Sequence, residues 1–340
     1  MFRWIRGIMA CAGLLAGMGP FLRADDGTAV TAMPRVLFLS ARGGLDSAYR
    51  QRLEARGFSV DSASIQKAVS HEQLSNAQVV VIGWIASAAD GCEPGGGYMN
   101  IHRDNLARIF QSMEQGRGVL MMPDLIQNGG IGKTTALVAW NKAMRPFNIS
   151  LGLGCIRDPE RKSYTWPCYQ HENSFCWTES FTEHPATRGL KRVYYPAANA
   201  RWDMLFTTPP LTLGGEWTPL VHGMPGSASY LCLQDNWTRL DGATQPPVLA
   251  ATRTVGKGRM AVLAISPTYT FLDGNKPFPD NWRGEMSVGN IDGSILAKGD
   301  GVVPSDTGLL LEKLYCWLGE GVVAGEATPM HASRAPQALG

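Results

Sequence analysis

The chain has 340 residues, of which 44% are hydrophobic and 18% charged, with a formal net charge of +2. That length allows one large domain or two modest ones, and that composition buries a core without staples, which excludes a disordered chain. No Lys/Arg run or basic stripe is present to hold a phosphate backbone, which excludes a dedicated nucleic-acid binder.

Residues 1–24 read as an address. Arg3 and Arg6 form a positive n-region, Gly7 to Leu22 an apolar h-region, and Ala24 a small residue at the cleavage position. Gly13, Gly17, Gly19 and Pro20 make the stretch a poor spanning helix. The expectation is a cleaved signal peptide and a periplasmic or secreted protein, with no membrane contact after cleavage. Cleavage removes Arg3, Arg6 and Arg23 and no acid, so the net charge becomes −1. Cys11 leaves too, and six cysteines remain, an even number compatible with disulfides. Cys155, Cys168 and Cys176 lie close enough in sequence for a bridge among them, including one from Cys168 to Cys176.

The mature chain begins with a strand and helix alternation. Apolar runs at 35–41, 58–64, 78–85 and 118–124 predict strands, the first, third and fourth buried on both faces. Helical patterns occupy 47–57, 101–116 and 134–147, the first two stopped by Gly57 and Gly116. This rhythm predicts a doubly wound, mostly parallel, flavodoxin-like α/β sheet with helices on both faces. Residues 150–215 break the rhythm with Pro, Tyr, Trp, Cys and charge, and read as an insertion or long loops. Strands return at 218–223 and 229–233, followed by a hairpin over 247–268 turning at Val255-Gly256-Lys257-Gly258. A closing helix spans 306–321 with Asp306 as its N-cap, and 322–340 form a mobile tail. The expected organisation is one α/β domain over 34–320.

Several phrases in this order resemble a known group of proteins: RVLFLSARGG, GRGVLMMPD before a Gly-rich turn, WNKAMRPFNISLG, HPATRGLKRVYYP and VLAATRTVGKGRMAVLAISPT. They are similar to the class I glutamine amidotransferase-like superfamily, and within it to exported ThuA-like domains found beside carbohydrate-degrading enzymes. The resemblance implies a flavodoxin-like sandwich with a site at the carboxyl ends of its strands. Catalytic members carry a nucleophilic Cys on a tight strand-to-helix turn. Here that turn reads Pro123-Asp124-Leu125-Ile126-Gln127-Asn128-Gly129 and holds no Cys. Glutamine amidotransferase activity is therefore not expected.

Asp124 ends the fourth strand, where open α/β sheets bind ligands. It could hold a sugar hydroxyl, a metal or a proton, or simply form the turn. Asn128, Gly129 and Gly130 lead into Gly129-Gly130-Ile131-Gly132-Lys133-Thr134-Thr135, which looks like a variant phosphate loop. Its place after the fourth strand and the Asn at 128 oppose nucleotide hydrolysis. The plainer reading is a loop before a helix N-terminus, with Thr134 as cap, where an anion or carboxylate can sit. His171 and Glu172, with Cys168, Cys176, Glu183 and His184, are ligand-type side chains at no familiar zinc spacing. Trp177 and Trp202 belong to an aromatic group with Tyr164, Trp166, Tyr169, Tyr194 and Tyr195 that either stacks on sugar rings or forms a small core. Glu172, Glu179 and Asp203 are the carboxylates of an alternative glycosidase reading.

The function expected is an exported accessory domain of polysaccharide metabolism that binds a carbohydrate or other small polar ligand through Asp124, Asn128, Gly129, Gly130, His171, Glu172, Trp177 and Trp202. It needs no cofactor and no resident metal. The alternatives are a carbohydrate-processing hydrolase and a structural module that docks another exported protein.

Overall fold

In the computed structural model the first half forms β1 (Arg35–Ser40), α1 (Ser47–Ala55), β2 (Ser59–Ser64), α2 (His71–Asn76), β3 (Val79–Gly83), α3 (Asn105–Glu114) and β4 (Gly118–Met122). The structure describes residues 33–40, 45–83, 85, 101–123, 125–127, 135–168, 171–199, 205–233, 236–240, 246–265 and 299–321. Of these, 125–127, 135–136, 162–168, 171–174, 198–199, 205–207, 232–233 and 236–237 are described by backbone alone. The segment 1–24 and the tail 322–340 lie outside the described residues.

Local chemistry sets the helix ends. Asp46 caps α1 by accepting the Tyr49 amide at 2.9 Å. Ser70 and Gln73 form a reciprocal capping box on α2, with bonds of 2.9 and 3.0 Å. Gly57 and Gly116 follow α1 and α3 at φ of 89° and 114°, a backbone that glycine adopts without a Cβ clash.

The middle is strand-rich. It holds β5 (Leu125–Gln127), α4 (Thr135–Met144), a 3-10 turn (Arg145–Phe147), β6 (Ile149–Leu151), β7 (Cys155–Arg157), β8 (Lys162–Cys168), β9 (His171–Thr178), β10 (Ser180–Phe181), β11 (Val193–Asn199), β12 (Leu205–Thr207) and β13 (Leu211–Leu213). The last part contains β14 (Thr218–His222), β15 (Ala228–Leu233), β16 (Asn236–Arg239), β17 (Val248–Val255), β18 (Gly258–Leu263) and α5 (Thr307–Gly319). No helix among the described residues is long and apolar enough to cross a membrane.

The main sheet runs β10-β14-β17-β18-β4-β3-β1-β2, with β13 and β6 joined to it beside β17. The block β2-β1-β3-β4-β18 is parallel throughout. The remaining strands are antiparallel. The expected parallel, flavodoxin-like order thus holds for the five-stranded block, and antiparallel strands extend it. Separate sheets β11-β9-β8, β12-β5 and β16-β15-β7 complete the fold.

Alternate strand residues point to opposite faces. Val36, Phe38, Val79, Val81, Leu120 and Met122 share one buried cluster with Tyr49 and Leu53 of α1 and with Leu310, Leu314 and Tyr315 of α5. Leu37, Leu39, Val80, Ile82, Val119 and Met121 share the other with Leu74 of α2, Ile109 and Met113 of α3, and Trp140 of α4. The β17–β18 turn presses on the end of α3. A Cβ at Gly258 would run into the Met113 and Arg117 carbonyls, so only glycine fits there.

Among the described residues, β2 ends the parallel side of this sheet. There Arg50 donates to the Val60 carbonyl at 2.7 Å and to Ser62 Oγ at 3.1 Å. The Ser62 amide donates to Asp61 Oδ1 at 2.7 Å.

Two expectations are corrected. Asp306 occupies the N-cap of α5, yet its side chain caps nothing in that helix. Its carboxylate instead accepts the amides of Lys191 and Arg192 at 2.6 and 3.1 Å, tying down the chain that enters β11. A Cys168–Cys176 bridge is ruled out by register. Cys168 pairs with His171, while Cys176 pairs with Lys162 at the far end of β8, roughly 15–20 Å away at strand spacing. Cys155 and Cys176 are buried and Cys316 is half-buried.

Candidate functional site

From β1 the chain passes to β2 on one side, then returns across β1 to β3, β4 and β18 on the other. The direction of winding therefore reverses between β1 and β3, and crevices at such reversals open at the carboxyl ends of the strands. The described residues at those ends are Ser40, Gly83, Met122, Pro123 and Leu263 to Ile265. Asp124, Asn128, Gly129 and Gly130, in the chain after β4, lie outside the described residues, as do Ile131 to Thr134.

In the chain, β4 ends at Met122, β5 intervenes at Leu125–Gln127, and α4 starts only at Thr135.

A second group of strand ends meets nearby in the chain. In the β8–β9 hairpin His171 pairs with Cys168 and Glu172 with Pro167, and Asn173 pairs with both Trp166 and Asn199. The Thr208 amide donates to the Pro196 carbonyl at 3.1 Å, and β12 pairs with β5 so that Leu205 faces Gln127. The strand ends bordering positions 128, 169–170 and 200–204 thus gather along one edge. His171 and Glu172 stand there by backbone position. Trp202 lies outside the described residues.

Trp177 is the one expected site residue whose side chain is described. It pairs with Tyr194 across the β9–β11 ladder. The Arg192 guanidinium lies over its ring, 3.8 Å from the centroid, and that of Arg161 lies 5.7 Å away. Arg192 is held by Glu179 through bonds of 2.9 and 2.6 Å. Arg161 pairs with the fully buried Asp158 at 3.0 Å, whose other oxygen accepts the Glu160 amide at 3.0 Å. The Trp177 ring carries two guanidiniums, each tethered to a carboxylate.

Neighbouring aromatics are structural. Tyr194 and Tyr195 are completely buried in the core. Burial pushes the Tyr195 phenol well above its ordinary pKa, and Cys176, Asp158 and Cys155 around it add to that. Glu179 serves Arg192, and no group of three metal-ligating side chains exists among the described residues. Arg161, Asp158 and Arg192 went unnoticed in the sequence. Asp158-Pro159 followed by Arg161 was a readable turn with an i,i+3 pair, whereas Arg192 reaches Trp177 only through strand pairing.

The sequence matches no protein-family model and no curated protein. Solved structures do resemble the fold. A cytoplasmic protein of Salmonella typhimurium is 13% identical, with a TM-score of 0.44, over 83% of this chain and 98% of that one. A glutamine amidotransferase of Thermotoga maritima is 13% identical, with a TM-score of 0.40, over 85% and 99%. A ThuA-like protein of Bacteroides uniformis is 13% identical, with a TM-score of 0.39, over 82% and 98%. Likenesses at this level carry no argument about substrate or chemistry.

Proposed function

We propose that this chain is an exported α/β domain that binds a carbohydrate or another small polar ligand at the carboxyl ends of its parallel strands, without glutamine amidotransferase activity. The observation that carries the reading is the reversal of winding between β1 and β3. Such a reversal favours a ligand crevice at the carboxyl ends of β1 and β3, one strand away from the end of β4. Asp124, next in the chain after Pro123, is the side chain expected to bond the ligand. Export is supported by residues 1–24 alone, and the carbohydrate class and accessory role by the resemblance of the sequence phrases.

Thermal unfolding of the purified protein against oligosaccharides, divalent metals and Mg-ATP tests this. A ligand at 100 times its Kd adds about 2.7 kcal/mol, a rise of several degrees. The expected result is a rise with one glycan class that Asp124→Asn abolishes. A rise with Mg-ATP alone, or none with any glycan or small polar ligand, overturns the reading. Export is tested separately by the N-terminal sequence of the periplasmic product, which is expected to begin near Asp25.

A further inference from the structure

Between β10 and β11 the chain turns over α5, and His184 holds the turn. Its Nδ1 accepts the Ala186 amide at 3.1 Å, and its backbone carbonyl accepts the amides of Thr187 and Arg188 at 3.0 and 2.9 Å. The ring packs edge-on against Trp317 of α5, centroid to centroid 4.9 Å. A nitrogen that accepts an N–H bond carries no proton of its own. The bound imidazole is therefore neutral, with its hydrogen on Nε2.

Charges face this ring from each element packed on it. From β18, the Arg259 guanidinium lies over the same Trp317 ring at 4.9 Å, bonded to the Trp317 carbonyl at 2.6 Å and to Glu320 at 3.1 Å. From α5, Lys313 Nζ donates to the Arg188 carbonyl at 2.8 Å. From β14, His222 Nε2 lies 3.2 Å from Thr182 Oγ1. Glu183 precedes His184 in the chain and is exposed. Burial, and then the Arg259 charge, hold the His184 imidazole below the ordinary histidine range.

We propose that His184 is a proton-sensitive latch, which holds the 182–192 segment on α5 while neutral and releases it when Nδ1 takes a proton. Protonation turns the Nδ1 acceptor into a donor facing the Ala186 N–H, and brings a second positive charge to a ring already shared with Arg259. The latch stands apart from the ligand reading and needs no ligand to be tested.

Amide hydrogen exchange across pH 7.5 to 5.0, corrected for intrinsic rates, is the experiment. In the native protein, protection of residues 185–192 is expected to fall severalfold as the pH drops below about 6.5. His184→Asn keeps an acceptor for the Ala186 amide and cannot titrate in this range, so protection there is expected to stay flat. His222→Gln should behave as the native protein does. A flat native profile overturns the latch, as does a loss that persists in His184→Asn. An NMR titration of the native imidazoles gives a reading that needs no variant. A His184 midpoint at or above the ordinary histidine range overturns it too.

Discussion

The parallel block and the antiparallel β7–β9–β11 region bury polar groups differently. In the block, Asn105 is wholly buried and wholly used. Its Nδ2 donates to the Ile65 and Lys67 carbonyls at 2.7 and 2.8 Å, and its Oδ1 accepts the Val69 amide at 2.9 Å. In and beside the antiparallel region, the hydroxyls of Thr208 and Ser229 are buried without a hydrogen-bond partner and Asp158 is buried as one half of an ion pair, while on the α1 side of the block the Arg52 Nε is left so. A satisfied polar group fixes one arrangement of its surroundings, whereas unsatisfied hydroxyls cost stability and specify little. Around Asn105 the block is therefore a frame with one solution, and the antiparallel region carries the polar side chains at the expense of such fit.

The difference can be broken from either side. Asn105→Ala orphans three backbone groups and should lower stability by about 4 kcal/mol, read from urea unfolding. Arg161→Ala strands the Asp158 carboxylate and should cost about 3 kcal/mol, discounted for the partial exposure of Arg161. A loss under 1 kcal/mol in either case would erase the contrast as drawn.

Acid should act on the antiparallel side first. Burial lowers the pKa of both His184 and His222, so the unfolded chain binds protons before the folded one does. Stability is then greatest above about pH 6.5 and falls as the pH drops from there toward the folded-state values. A stability profile that stays level from pH 7 to 5 would contradict this. The smallest effect belongs to the idle hydroxyls. Ser229→Ala and Thr208→Val should leave stability within about 1 kcal/mol of the native value or raise it, because no bond is lost.

The same contrast explains what could be read in advance. Fully apolar runs such as Val79–Gly83 and Gly118–Met122 belong to strands covered on both faces, and a run of that kind announces itself. The helix α2 escaped because six residues hold too few turns for a period, although Ser70 and Gln73 offered its capping box. The many short strands of 150–215 escaped because their aromatics serve two ends. Tyr194 and Tyr195 are core, while Trp177 carries Arg192, and nothing in their spacing separates those fates. Of the expected site, Trp177 is placed with its contacts, and His171 and Glu172 by position on β9. The Asp306 carboxylate shows the limit well. Its place at the head of α5 was legible, but the amides of Lys191 and Arg192 that it accepts lie 115 and 114 residues away in sequence.

The side chains along β2 bear on how this protein behaves in a crowd. An open strand offers its backbone to any neighbour with a matching ladder, and that is how soluble sheets begin to polymerise. Here the Val60 carbonyl and the Ser62 amide are already engaged by Arg50 and by Asp61. A second molecule approaching this rim meets a guanidinium and a carboxylate where two of the ladder's groups would otherwise be open.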